Sequence, residues 1–127
     1  MNLARLLTTI AAACPAGDAA DKPLTPVEAR RKIGQTITVE MTVRAAKDRL
    51  EKRGEIYLDA EPDFRDPKNF AVVITNAGAA SLGAAGIDNP AVHFKDKKIR
   101  ATGKVKEVDG VPRIEVDDAK QIGLATQ

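Results

Sequence analysis

The chain has 127 residues, 43% of them hydrophobic, with 20 basic against 18 acidic side chains for a formal net charge of +2. That suits one domain with a modest core, and so even a balance excludes a general attraction to polyanions, leaving only local clusters of cations to provide one. No run of about 18 apolar residues is present to cross a membrane as a helix, and with aromatic residues at 3% and no Trp the chain is poor in rings that stack on bases or sugars.

Taken in order, Met1 to Arg5 is short and carries one positive charge, Leu6 to Ala13 is an apolar run, and Ala11 and Ala13 stand two apart just before Cys14, the single cysteine. This order resembles a bacterial export signal. Ala11-Ala12-Ala13-Cys14 also resembles a lipobox, with Cys14 as the lipidation residue, although Ala replaces the usual Leu three positions before the cysteine. The expectation is a signal peptide over 1–14 and a linker over 15–24. The protein would then be exported, as a periplasmic, secreted or lipid-anchored domain; without a working signal it stays cytoplasmic.

Thr25-Pro26-Val27-Glu28 predicts a short helix, with Thr25 as cap, Pro26 in the first turn and Glu28 closing a capping box. Gly34 ends it. Thr36 to Arg44 alternates cleanly, Ile37, Val39, Met41 and Val43 facing one way, and reads as a strand. Residues 45–53 read as a charged connection. Residues 55–59 form a short strand with Ile56 and Leu58 inward and Tyr57 outward, and 60–69 a polar loop. The Asp59, Glu61, Asp63 spacing hints at a calcium loop, but Phe64 and Phe70 occupy the positions where such a loop needs Gly and Glu. Residues 70–75 predict a buried strand. An Ala/Gly-rich helix capped by Asn76 follows over 77–85, then a connection over 87–96 and, after the last strand, a tail over 123–127.

Residues 98–116 predict a β-hairpin. Ile99, Ala101, Gly103 and Val105 alternate with polar residues, and Asp109-Gly110 supplies a two-residue turn with positive φ at both positions. That turn sets Val108 opposite Val111, Lys106 opposite Arg113, Val105 opposite Ile114, Lys104 opposite Glu115 and Gly103 opposite Val116. Pro112, opposite Glu107, needs no N–H there. Lys106 and Arg113 then stand as like charges across the ladder, either a solvated tip or a cation pair open to an anion. The inward set over the whole chain is Ile37, Val39, Met41, Val43, Ile56, Leu58, Phe70, Val72, Ile74, Ile99, Val105, Ile114 and Val116.

Three strands, a helix and two more strands is the order of an OB-fold. ITVEMTVR, NFAVVI and KKIRATGKVKEVDGVPRIEV followed by DDAKQI resemble OB modules of the anticodon-binding and single-stranded-nucleic-acid-binding kind. The resemblance covers residues 25–122 and implies a mainly β, five-stranded Greek-key barrel with a short N-terminal helix and a helix between strands three and four. It also implies a ligand across strands two and three. One rim would supply Arg44, Lys47, Arg49, Lys52 and Arg53, the other Lys104, Lys106 and Arg113, and Tyr57 would be the stacking ring among Glu55, Asp59, Ala71, Val73 and Thr75 on the floor. Such cations position phosphates; the floor carboxylates oppose them.

Nothing in the residues supports an enzyme, a metal or a cofactor. Cys14 belongs to the leader, and His93 and Ser81 are the only other members of a conceivable nucleophile pair. Two functions fit: a weak, sequence-tolerant binder of single-stranded nucleic acid or another polyanion, or an exported accessory domain that meets a protein partner.

Overall fold

The computed structural model describes residues 23–125. The expected signal peptide with Cys14, and the expected linker up to residue 22, lie outside the described residues. Leu24 already belongs to the fold: its N–H donates to Thr38 O and its carbonyl accepts from Glu40 N, each at 2.8 Å, a parallel bridge to Val39.

Helix α1 (Pro26–Ala29) carries the expected capping box, Thr25 Oγ1 accepting from Glu28 N and Glu28 Oε1 accepting from Thr25 N. After Gly34 the chain enters β1 (Thr36–Thr42), and at residues 43–44 it changes partners. Strand β1 pairs antiparallel with β5 (Lys98–Val108), whereas β2 (Ala45–Arg49) pairs antiparallel with β3 (Glu55–Asp59). Residues 45–53 are therefore not a connection but β2 and a one-turn helix α2 (Leu50–Arg53). Their charge hid the strand; what makes it one is the edge of β3, whose backbone groups need partners.

Strand β3 continues antiparallel to β4 (Ala71–Thr75), which runs parallel to β6 (Val111–Val116), and β6 closes a hairpin with β5. The short β7 (Ile122–Leu124) returns to pair with β5, so residues 123 and 124, expected in the tail, belong to a strand. The path β1-β5-β6-β4-β3-β2 with β7 beside β5 is a 7-stranded sheet. Seven strands stand where five are expected, and the two end strands of the path, β1 and β2, are not paired to each other, so the ladder itself does not close.

Helix α3 (Asn76–Ala84) is capped by Thr75, one residue before the expected Asn76, with Thr75 Oγ1 accepting from Gly78 N at 3.2 Å. A Cβ on Gly78 would lie 2.0 Å from Val116 O, so only glycine lets this weak helix press onto β6. Residues 87–96, expected as a connection, contain α4 (Pro90–Phe94), capped by the Asn89 side chain on Val92 N. Its purpose is packing: Phe94 is fully buried.

Every residue expected inside is buried, and Leu82, Phe94, Ala101 and Ile122 join them in one core cluster. The hairpin turn has φ of 53° at Asp109 and 80° at Gly110, and Val105–Ile114, Lys106–Arg113, Glu107–Pro112 and Val108–Val111 pair in the expected register. The two further pairs expected, Lys104 with Glu115 and Gly103 with Val116, do not form. Gln121, at the end of a 3-10 turn (Ala119–Gln121), inserts its side chain there: Nε2 donates to Thr102 O on β5 and to Glu115 O on β6, both at 3.0 Å. Oε1 accepts from Asp117 N and Asp118 N.

Candidate functional site

The outward residues of β2, β3, β4 and β6 form rows across the sheet. Lys47 stands opposite Tyr57, Tyr57 opposite Val73, and Val73 opposite Glu115. On one side of this row Arg49, Glu55 and Thr75 align; on the other Ala45, Asp59, Ala71 and Arg113 do, and Arg113 continues to Lys106. Cations thus occupy both flanks and the ring and carboxylates lie between them. Over these rows runs a groove of about 340 Å³, with Lys47, Arg49, Arg53, Tyr57, Phe64 and Arg113 among its lining residues.

Five of the expected site residues therefore meet: Lys47, Arg49, Arg53, Tyr57 and Arg113. Four do not line the groove. Arg44 faces a separate shallow depression beside Glu61 and Lys68. Lys52 is exposed on α2. Lys104 lies opposite Thr36 in the β1–β5 ladder, and Lys106 is turned to Glu115 at 3.2 Å.

The like-charge pair across the hairpin is not open to an outside anion, because the protein supplies its own. Glu115 reaches Lys106 with Oε1 and comes within 3.6 Å of Arg113 Nε with Oε2, while Glu55 Oε2 lies 3.5 Å from Arg113 Nη1. Arg113, opposite Ala71, reaches Glu55, opposite Thr75, and Val73 between those two positions is 0% exposed although its row faces outward. The Arg113 side chain is 12% exposed, and its Nε is buried without a hydrogen-bond partner. Tyr57 donates its hydroxyl to Glu55 Oε1 at 2.6 Å, completing a chain from Tyr57 to Lys106.

Burial pushes the Tyr57 hydroxyl above its ordinary pKa, helped by its hydrogen bond to Glu55 and opposed by Arg53. Asp59, 3% exposed, is likewise pushed up by burial, against a hydrogen bond from Asn69 Nδ2 and the charge of Lys47. Asp63 is held below the usual carboxylate range by the backbone N–H and side chain of Arg65.

The residue that sequence reasoning undervalued is Phe64, in the loop between β3 and β4. That loop is built around Asn69, fully buried, whose Nδ2 also donates to Phe64 O and whose Oδ1 accepts from Glu61 N. Phe64 is thereby held over the groove, 46% exposed, with Lys47 Nζ 5.0 Å from its ring centre. The site has two rings, not one. An exposed phenylalanine in an otherwise polar loop was the signal. His93 lies edge-on to Phe94 on α4, outside the groove. Among the described residues no group of three His, Cys, Asp or Glu side chains is placed to hold a metal ion.

No family model matches the sequence, and no curated protein does. Solved structures do. The fold is similar to part of a chain described as an aspartyl-tRNA synthetase from Leishmania major Friedlin, with a TM-score of 0.55 and 12% identity over 84% of this chain and 21% of that one. It is similar to part of asparaginyl-tRNA synthetase from Pyrococcus horikoshii, with a TM-score of 0.54 and 14% identity over 83% of this chain and 23% of that one. A third likeness is to aspartyl-tRNA synthetase from Entamoeba histolytica, with a TM-score of 0.51 and 17% identity over 91% and 24% of the two chains. The chain thus spans about a fifth to a quarter of the solved chains it matches. Together with the strand order, these likenesses make the fold mainly β and OB-like.

Proposed function

We propose that the protein is a non-enzymatic domain that binds single-stranded nucleic acid weakly and with broad sequence tolerance, laid across β2, β3, β4 and β6. In this reading residues 36–49 are one first strand bent at Val43-Arg44, β7 is an addition, and the remainder is a five-stranded Greek-key barrel. The observation that carries the proposal is the groove: two aromatic rings, Tyr57 and Phe64, beside Lys47, Arg49 and Arg53. Rings of this kind take bases of any identity by stacking, and flanking cations take the phosphates. The likeness to parts of tRNA synthetases is compatible with such a ligand, but the groove is the argument. Among the described residues Ser81 Oγ accepts from Ala119 N and His93 lies edge-on to Phe94.

A second reading, an interaction domain for a protein partner, is favoured by the carboxylates, since Glu55 and Glu115 neutralise Arg113 and Lys106 from within. Fluorescence anisotropy with a labelled short oligonucleotide at low and moderate salt separates the two. Binding should weaken as salt rises, and replacing Lys47, Arg49 and Arg53 together with Gln should lower the salt slope by about 2, at about 0.7 per lost phosphate contact. No binding at low salt, where attraction is least screened, would retire nucleic acid in favour of a protein partner.

A further inference from the structure

The floor of the groove offers acceptors where its rim offers donors. Glu55 is the centre of that contrast. Its Oε1 accepts from Tyr57 at 2.6 Å and its Oε2 stands 3.5 Å from Arg113 Nη1, yet the side chain keeps 25% of its exposure. An ionised carboxylate has about four acceptor sites, so these two contacts leave acceptor capacity facing the groove. Arg113 does not take up the whole of that carboxylate, because its guanidinium is shared with Glu115 at 3.6 Å. What Glu55 gains from Tyr57 is position: the hydroxyl fixes the carboxylate beside the ring, so a base stacked on the ring has its edge at the carboxylate. Phosphate is repelled from this point, and a base edge carrying donor hydrogens is attracted to it. Cytosine presents an N4 amino donor where thymine, and uracil likewise, present the O4 acceptor.

We propose that Glu55 selects, at one nucleotide of the bound strand, a base with an exocyclic amino group, and so favours cytosine over uracil. This rests on the nucleic-acid reading of the groove and names the one position where sequence tolerance ends. Cytosine and uracil have the same ring size and backbone, so the comparison isolates the edge contact.

The test uses the full chain and fluorescein-labelled hexamers of deoxycytidine and deoxyuridine, titrated at low salt above pH 7, where cytosine is unprotonated. The parent should bind the cytidine strand about tenfold tighter, the effect of one good edge contact. Glu55→Gln keeps an acceptor for Tyr57 but gives the groove a donor as well, and should bring the two affinities within about twofold. Glu107→Gln, the same charge change at the exposed hairpin tip, should leave the ratio as it was. Equal binding of both strands by the parent, or a Glu55→Gln variant that tightens both equally, would overturn the selectivity and leave the nucleic-acid reading standing. Failure of both strands to bind would overturn both.

Discussion

The two banks of the groove carry like charge and differ in what holds it. On the β2–α2 bank, Lys47, Arg49 and Arg53 have no carboxylate within 4.0 Å among the described residues, and Lys47 rests on the Phe64 ring. On the β5–β6 bank, Lys106 and Arg113 are bonded to Glu115 and Glu55. Counting cations, three against two, would not tell the banks apart in kind. Their partners make the second a brace across the sheet, and leave the first as the rim that the proposed ligand's phosphates would meet.

The largest effect that would sharpen this difference is on stability. Arg113→Ala leaves Glu55 and Glu115 without the cation between them in a half-buried setting, and should cost about 1–3 kcal/mol in a denaturant titration, as leaving a partly buried charge without its partner does. Lys106→Gln removes a half-exposed ion pair and should cost under about 1 kcal/mol. Equal losses at the two positions would break the comparison, since Arg113 would then be a surface charge like its neighbour.

The next effect is on binding alone. Phe64→Ala removes an exposed ring beside the β2–α2 bank and should weaken an oligonucleotide by about 1–2 kcal/mol, the value of one stacked base. The melting curve should barely move. A variant that binds as the parent does would mean that Lys47 keeps the ring covered and that Tyr57 stacks by itself.

The smallest effect concerns pH. Asp59 has its carboxyl raised by burial, so the folded state holds that proton more tightly than the unfolded chain. The stabilising contribution is full below the ordinary carboxylate value and is lost as pH rises through the raised one. Asp59→Asn keeps the acceptor for Asn69 and removes the titration. Its advantage over the parent in thermal melts should therefore grow as pH rises from about 4 and then level off. An advantage that shrinks with pH would place the charge of Lys47 above burial as the controlling influence.

What the residues made legible follows from where local and long-range signals agreed. The hairpin register was readable through Val105 and Ile114 because alternation and the Asp109-Gly110 turn demand the same pairing. It failed beyond them because Gln121, distant in sequence, occupies the gap. Strand β2 was invisible because Ala45–Arg49 has no alternation to read, and its pairing with β3 is decided by the sheet edge alone. At the site, the flank positions of Lys47, Arg49 and Arg113 followed from the strand order. The role of Phe64 depended on Asn69 folding the loop back, and the neutralisation of Lys106 depended on the rotamers of Glu115, neither of which a linear pattern encodes.

Gln121 also bears on the order in which the molecule assembles. Its amide is saturated, two donors spent on two strands and one oxygen shared by two backbone N–H groups. It can take that place only after β5 and β6 already stand beside each other and the 3-10 turn has formed. The tip of the hairpin, by contrast, needs nothing but its own turn. Contacts that form this late should act on unfolding more than on folding: Gln121→Ala is expected to raise the unfolding rate and leave the folding rate nearly as it was, in rates measured against denaturant.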